Sequence, residues 1–90
     1  MQYPIAITPS NETTAYGIFI PDIVSCYSAS DERADIFNNA KEAIMLHLKG
    51  LIEDGEAIPL PTDSTKHKDN LDFEGMDWAV VDIQIHELYE

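Results

Sequence analysis

The chain has 90 residues, one cysteine and 17 acidic against 5 basic residues, for a formal net charge of −12 and a sequence pI near 4.3. A chain of this length forms one domain with a modest core, and its surface repels nucleic-acid phosphates and anionic membranes, which proteins bind through Lys and Arg. The charge favours a basic protein as partner, although acidity also aids solubility.

Two strands and a short turn open the chain. The segment 3–7 (YPIAI) alternates in the way that is typical of a strand. Pro4 has no N–H for a strand ladder, so this strand starts there or lies at an edge. A turn-rich stretch at 8–13 leads into a second strand at 14–20, which predicts an antiparallel hairpin. The inward face of the two strands is predicted to carry Tyr3, Ile5, Ile7, Tyr16, Ile18 and Ile20.

A short third strand is predicted at 23–28 (IVSCYS), after a break at Pro21, with Val24 and Cys26 on its buried face. A reactive cysteine needs an electropositive setting or a histidine partner, and neither lies near Cys26 in sequence. Cys26 is therefore predicted to be a small buried hydrophobe. Because a single cysteine cannot form an internal disulfide, the protein is also predicted to be cytoplasmic.

One long helix is predicted from Glu32 to Asp54, capped by Ser30 or Asp31 and stopped by Gly55. Its apolar residues recur at helical spacing and predict a buried stripe. The stripe consists of Phe37, Ala40, Ile44, Leu48, Leu51 and Ile52, widened by Ile36 and Ala43.

The last third of the chain predicts a linker, a loop and a strand. Pro59 and Pro61 stiffen the linker, the loop at 66–77 is polar, and 78–89 is strand-like. The inward face of this last strand is predicted to carry Ala79, Val81, Ile83 and Ile85. The order is β-β-β-α-β, which predicts an α+β domain over 1–90: a three-stranded antiparallel start, one long helix on one face of the sheet, and a returning fourth strand.

Motifs for catalysis, metals and cofactors are weak in this sequence. His47, His67 and His86 lack metal-site spacing; His47 is predicted at the edge of the core and His67, between two lysines, in solvent. Among the acids only Asp82 lies in the middle of a predicted strand, which gives little support to a divalent-metal nuclease. No glycine-rich phosphate loop or nucleophile elbow occurs. No catalytic residue, metal ligand or cofactor is predicted.

Several short motifs follow one another along the chain. Their residues are Pro21, Asp22, Cys26, Asn39, Ala40, Glu42, Ala43, Gly55, Pro59 and Pro61. In this order they resemble the HicB family of antitoxins. The family pattern is a strand, a Pro-Asp-Leu-Pro-Gly-Cys turn, a helix with Asn-Ala-x-Glu-Ala, a glycine at the helix end and a Pro-x-Pro exit, and the match covers about residues 2 to 62.

Two departures from the family pattern stand out. Ser25 replaces the usual glycine before the cysteine, which predicts a slightly different turn. Many members continue into a ribbon-helix-helix or helix-turn-helix module that binds operator DNA, whereas this sequence stops at Glu90. The chain is therefore expected to lack that module and to bind no nucleic acid directly.

The resemblance implies a partial ribonuclease-H-like fold without that enzyme's catalytic acids. It also implies a non-enzymatic antitoxin that binds and masks HicA, a small basic toxin with a double-stranded-RNA-binding fold that cleaves mRNA using a histidine. We predict partner contacts at Asp22, Asp31 and Glu32, because these acids lie in loops around the third strand and the helix start. A homodimer or higher oligomer is expected for so small a domain.

Two other functions remain open at this point. The same acidity suits a stand-alone mimic of nucleic acid that blocks a larger DNA- or RNA-binding protein. A nuclease on the ribonuclease-H-like frame would depend on Asp82 and the acidic loop. The size of the bound partner separates the first of these from an antitoxin, and Mg²⁺-dependent hydrolysis would identify the second.

Overall fold

A computed structural model describes residues 1–9 and 15–89, so most of the predicted turn at 8–13 and the start of the second strand lie outside the described residues. Four strands form an antiparallel sheet in the order β3-β2-β1-β4, and a helix packs on one face. The elements are β1 (Gln2–Ile7), β2 (Tyr16–Phe19), β3 (Tyr27–Ser30), α1 (Ile36–Glu53) and β4 (Asp77–Asp82). The predicted α+β fold and its β-β-β-α-β order are confirmed.

The core lies between the sheet and α1. Most of the predicted inward positions are buried there, because side chains two apart on a strand share one face. Cys26 is buried as predicted, and Leu88 joins the core from the end of the chain. The buried core cluster consists of Tyr3, Ile5, Ile18, Ile20, Ile23, Cys26, Ile36, Ala40, Ile44, Leu48, Val81, Ile83 and Leu88.

β1 begins at Gln2, and Pro4 is fully buried within this inner strand, so the expectation that the strand starts at Pro4 or lies at an edge is wrong. In the pairing of β1 with β2, Thr8 N–H donates to Gly17 O, and the pairing ends at Ala6 and Phe19. The backbone N–H groups of alternate residues face the same neighbouring strand. The nitrogen of Pro4 therefore faces the same side as that of Thr8, at a level where β2 has already ended. The missing N–H therefore breaks no ladder bond.

The third strand starts later than predicted, at Tyr27, and Val24 is 86% exposed rather than buried. Ile23 N–H donates to Ile20 O, and Cys26 N–H donates to Ile23 O, so two tight turns replace the expected strand. Ser25 supplies the left-handed backbone that these turns need, with φ of 63°.

The helix begins at Ile36, after a short 3₁₀ turn at Arg33–Asp35, rather than at Glu32. Ile36 takes the buried position, and Phe37 is 51% exposed, contrary to prediction. Neither predicted cap acts on α1, since its N-cap is Asp35. The Ser30 hydroxyl instead donates to Glu32 O at 2.6 Å and shapes the entry to the 3₁₀ turn.

The last strand ends at Asp82, where the β1–β4 register reaches Gln2↔Asp82, and a 3₁₀ helix at Ile85–Tyr89 follows. Ile85 is therefore exposed, contrary to prediction, while Leu88 turns into the core. An ion pair of 3.0 Å between Lys41 Nζ of α1 and Glu87 Oε2 holds this segment against the helix.

Candidate partner-binding surface

Asp22, one of the three predicted contact acids, is turned into the protein. Its side chain is only 5% exposed. Oδ2 accepts the Thr62 N–H at 2.7 Å, and Oδ1 accepts the Thr62 hydroxyl at 2.7 Å. His67 Nε2 lies 3.0 Å from the same Oδ1. Asp22 is in a loop as predicted, but it fastens a distant segment to this turn instead of offering a free charge.

The electrostatics of Asp22 fit this internal role. Burial alone raises the pKa of a carboxyl, because it disfavours the charged form. Here the hydrogen bonds from Thr62 and His67 outweigh burial and bring the pKa of Asp22 below its ordinary value. The carboxylate is thus held as an anion, and its negative charge in turn helps burial to raise the pKa of Tyr3.

His67 was predicted to be solvent-exposed, but only 20% of its side chain is accessible. Its ring stacks on Trp78 of β4 with centroids 6.1 Å apart and planes 16° apart. Phe73 contacts both rings edge-on. The loop that carries His67 and Phe73 therefore packs over Trp78 on the sheet face opposite α1. No local pattern reveals this, because Asp22 lies 45 residues away.

Asp31 and Glu32 are exposed, as a contact role requires, at the start of the helical segment. With Asp35 and Asn39 they line a polar depression of about 410 Å³. Among these acids Asp35, the N-cap of α1, is the one placed to be stabilised by the helix dipole. Asp31 and Glu32 lie side by side on the surface, whereas the Asp22 side chain is buried and makes its contacts within the protein.

A second acidic region lies at the other end of α1. Glu53, Asp54 and Glu56 are exposed there, and the last turn of the helix contains no basic residue. An apolar groove opens beside Asp54, between α1 and the turn after β2. The groove was not predicted, because the alternation over residues 23–28 assigns Val24 to the core.

Cys26 and His47, two of the groups considered for catalysis or metal binding, are part of the packed structure. Burial raises the pKa of the Cys26 thiol to about 11, so Cys26 is the predicted buried hydrophobe. His47 is half-buried at the edge of the core, as predicted, with Nδ1 3.2 Å from Ala43 O. Among residues 1–9 and 15–89, no three His, Cys, Asp or Glu side chains form a group able to hold a metal ion. In the same residues, no helix has the length and apolar character needed to cross a membrane.

The sequence of residues 3–90 matches a family described as the HicB_like antitoxin of bacterial toxin-antitoxin systems. A curated relative is an uncharacterized 14.9 kDa protein in the rep-hol intergenic region of Haemophilus phage HP1. It is 33% identical over 88 residues, which cover 98% of this chain and 65% of the relative. The chain thus spans less than two thirds of that protein's length.

Solved structures share the fold over nearly the whole chain. The N-terminal domain of the Burkholderia pseudomallei antitoxin HicB aligns with a TM-score of 0.80 and 29% identity, over 94% of this chain and all 100% of that one. A chain in the HicA3 and HicB3 toxin-antitoxin complex aligns with a TM-score of 0.76 and 34% identity, over 93% of this chain and 99% of that one. The similarity therefore covers the sheet, the helix and the loop that packs on Trp78.

Proposed function

The chain belongs to the HicB-like antitoxin family, and on this premise we propose that it is the antitoxin of a type II toxin–antitoxin system. In this proposal it binds and masks a small basic HicA-type toxin that cleaves mRNA, and it acts in the cytoplasm by binding rather than by catalysis. The observation that carries the proposal is the similarity of almost the entire chain to a chain of the HicA3 and HicB3 complex.

The charge of the chain supports a basic partner. With 17 acids against 5 bases, its surface attracts a protein that must itself be basic to bind RNA. The same charge opposes direct nucleic-acid binding by this chain. Complementary charge accelerates encounter and discriminates against acidic partners, which suits an inhibitor that must reach a toxin before the toxin reaches mRNA.

We propose Asp31 and Glu32 as contacts for the toxin. Both side chains are exposed, and they lie at the mouth of the polar depression near the start of α1. Asp22 lies beside the apolar groove towards the other end of the helix, and its bonds to Thr62 and His67 suit an indirect role there better than direct contact with the partner.

The complex is proposed to contain one or two copies of each chain. A domain this small gains stability from self-association, and β3 and β4 lie at the two edges of the described sheet, where strands of a second copy can pair. Light scattering of the free chain and of the complex measures both masses.

The test is capture of partners from a lysate of the source organism at low salt, followed by elution with salt. We expect a small basic protein, whose toxicity on expression is rescued by this chain. Its association rate should fall by at least about tenfold between low and high salt, because exposed charges are screened within a Debye length.

Matched variants test the proposed contacts. The double variant Asp31→Asn/Glu32→Gln should slow association, whereas Asp69→Asn/Glu74→Gln removes the same charge from the exposed loop and should have a smaller effect. Capture of a large nucleic-acid enzyme in place of a small toxin would favour the nucleic-acid mimic. Association that does not depend on salt would contradict electrostatic masking.

A further inference from the structure

An apolar groove of about 550 Å³ lies between the second half of α1 and the turn after β2. Val24 stands on the turn side and Leu46 on the helix side, while Leu51, Ala57 and Pro59 line the remainder. The groove is therefore built from three separate segments that the fold brings together.

The two walls of the groove expose large apolar side chains. Val24 is 86% exposed and Leu46 is 73% exposed, so neither side chain contributes much to the core. Single exposed apolar residues are common on protein surfaces, and Leu71, at 80%, is an example in this chain. Val24 and Leu46 differ from Leu71 because they flank the same concavity. Apolar side chains around a concavity are typical of a binding site.

Two polar side chains that line the groove make hydrogen-bond contacts within the protein. Asp22 is bonded to Thr62 and His67, and a ring nitrogen of His47 lies 3.2 Å from Ala43 O. No buried side-chain N or O atom in the described residues lacks a hydrogen-bond partner. The interior of the groove therefore matches an apolar side chain better than a polar small molecule, which needs convergent free donors or acceptors.

The groove has acids on one side, although Lys49 lies one helical turn before Glu53. Asp54 lines the groove, and Glu53 and Glu56 are exposed beside it. The C-terminus of a helix is already the negative end of its dipole, so acids there are unfavourable, and the last turn of α1 has no basic residue. This differs from Asp35 at the start of α1, which the dipole stabilises. Lys or Arg from a partner would relieve the repulsion at the groove.

We propose that this groove takes an apolar side chain of the basic toxin, with Lys or Arg residues flanking that side chain placed against Asp54, Glu53 and Glu56. This inference rests on the proposed antitoxin function and adds a docking point for the toxin. A second copy of the chain is a poorer occupant, because it brings its own excess of acids to an already acidic rim.

The two proposed contact regions can act together. Asp31 and Glu32 precede the helix, and the groove lies towards its other end. Since α1 has 18 residues, it is about 27 Å long, and one small protein can bridge two regions that lie along it.

The experiment measures the affinity of the captured toxin for the full chain and for two pairs of variants. Leu46→Gln removes an apolar wall and keeps a good helix former, and Leu71→Gln is its control, equally apolar and exposed but outside the groove. Asp54→Asn removes a rim charge, and Asp69→Asn removes one charge elsewhere. We expect about tenfold weaker binding for each groove variant and less than about twofold for each control.

The outcomes separate this inference from the proposed function. If the unaltered chain binds the toxin and all four variants bind equally well, the groove is not the docking point and the antitoxin function stands. If the unaltered chain binds no small basic toxin, both proposals fail. If Leu46→Gln changes self-association by light scattering but leaves toxin affinity unchanged, the groove is a contact between copies and the inference is wrong. Circular dichroism verifies that each variant is folded.

Discussion

The Asp22 carboxylate lies 3.0 Å from the His67 imidazole, although 45 residues separate them in the chain. Asp22 leaves the sheet in the turn after β2, whereas His67 belongs to the loop that packs on Trp78. Thr62 completes the connection with two hydrogen bonds to the same carboxylate. This small network therefore joins the turn beside the apolar groove to the loop on the opposite face of the sheet.

Replacing Asp22 with Asn should loosen that connection. One amide oxygen cannot accept all the bonds from Thr62 and His67 that two carboxylate oxygens accept. We expect a loss of about 1–3 kcal/mol in the free energy of unfolding, measured by urea denaturation. Trp78, the chain's only tryptophan, reports the undocking of the loop through its fluorescence. Asp69→Asn, the same change at an exposed site, should stay within about 0.5 kcal/mol.

The same network predicts a specific dependence on pH. The pKa of Asp22 is lowered in the folded protein, so its stabilising contribution is fully present above the ordinary carboxyl pKa of about 3.9 and is lost as pH falls through the lower folded value. The stability difference between the unaltered chain and Asp22→Asn should shrink as the pH falls below about 4. A difference that grows as the pH falls below about 4 would contradict the assignment.

Much of the fold follows from local sequence patterns. Alternation placed Tyr3, Ile5, Val81 and Ile83 on the buried face, and the helical period placed the apolar stripe of α1. The errors lie where a distant contact or a backbone conformation overrides the pattern. Val24 follows a strand-like alternation, but the backbone turns there and exposes it.

The candidate surface was less predictable than the fold. Exposure of Asp31 and Glu32 follows from their position before an amphipathic helix. The burial of Asp22 does not, because its partners Thr62 and His67 come from a polar segment with no periodicity of its own. Such a contact is fixed by the tertiary fold and leaves no signal in sequence spacing.

Ser25 offers a test of the turn before β3. Its φ of 63° lies in the left-handed region, which costs a residue with a Cβ about 1–2 kcal/mol, whereas glycine adopts it freely. After the larger entropy of glycine in the unfolded chain is subtracted, Ser25→Gly should stabilise the protein by about 0.5–1 kcal/mol in urea denaturation. Ser28→Gly, within β3, has only the entropic effect and should destabilise by a similar amount. Destabilisation by Ser25→Gly would show that the serine side chain matters more than its backbone strain.

Cys26 should be unreactive in the folded protein. Burial raises the pKa of its thiol to about 11, so only about 0.1% is thiolate at pH 8, and the side chain is almost inaccessible. Modification by a coloured disulfide reagent should be at least about a hundredfold slower in buffer than in denaturing urea. Rapid modification under native conditions would mean that the turn at 21–25 opens readily, and the pair of tight turns described here would then be wrong.

Asn39 belongs to the helix motif that resembles the HicB family, and the structure gives it a physical role. Its Nδ2 donates to Ala29 O at 3.0 Å, which ties α1 to the edge strand β3 and covers one carbonyl of that edge. Asn39→Ala should cost about 0.5–1.5 kcal/mol and increase hydrogen exchange along Tyr27–Ser30. Asn38→Ala is the matched control, since Asn38 is the adjacent, exposed residue of the same type. Because alanine favours a helix more than asparagine does, Asn38→Ala should not destabilise the protein. Equal effects of the two variants would mean that the helix–strand bond contributes nothing, whereas a loss at Asn39 alone, confined to β3, would identify that bond as its cause.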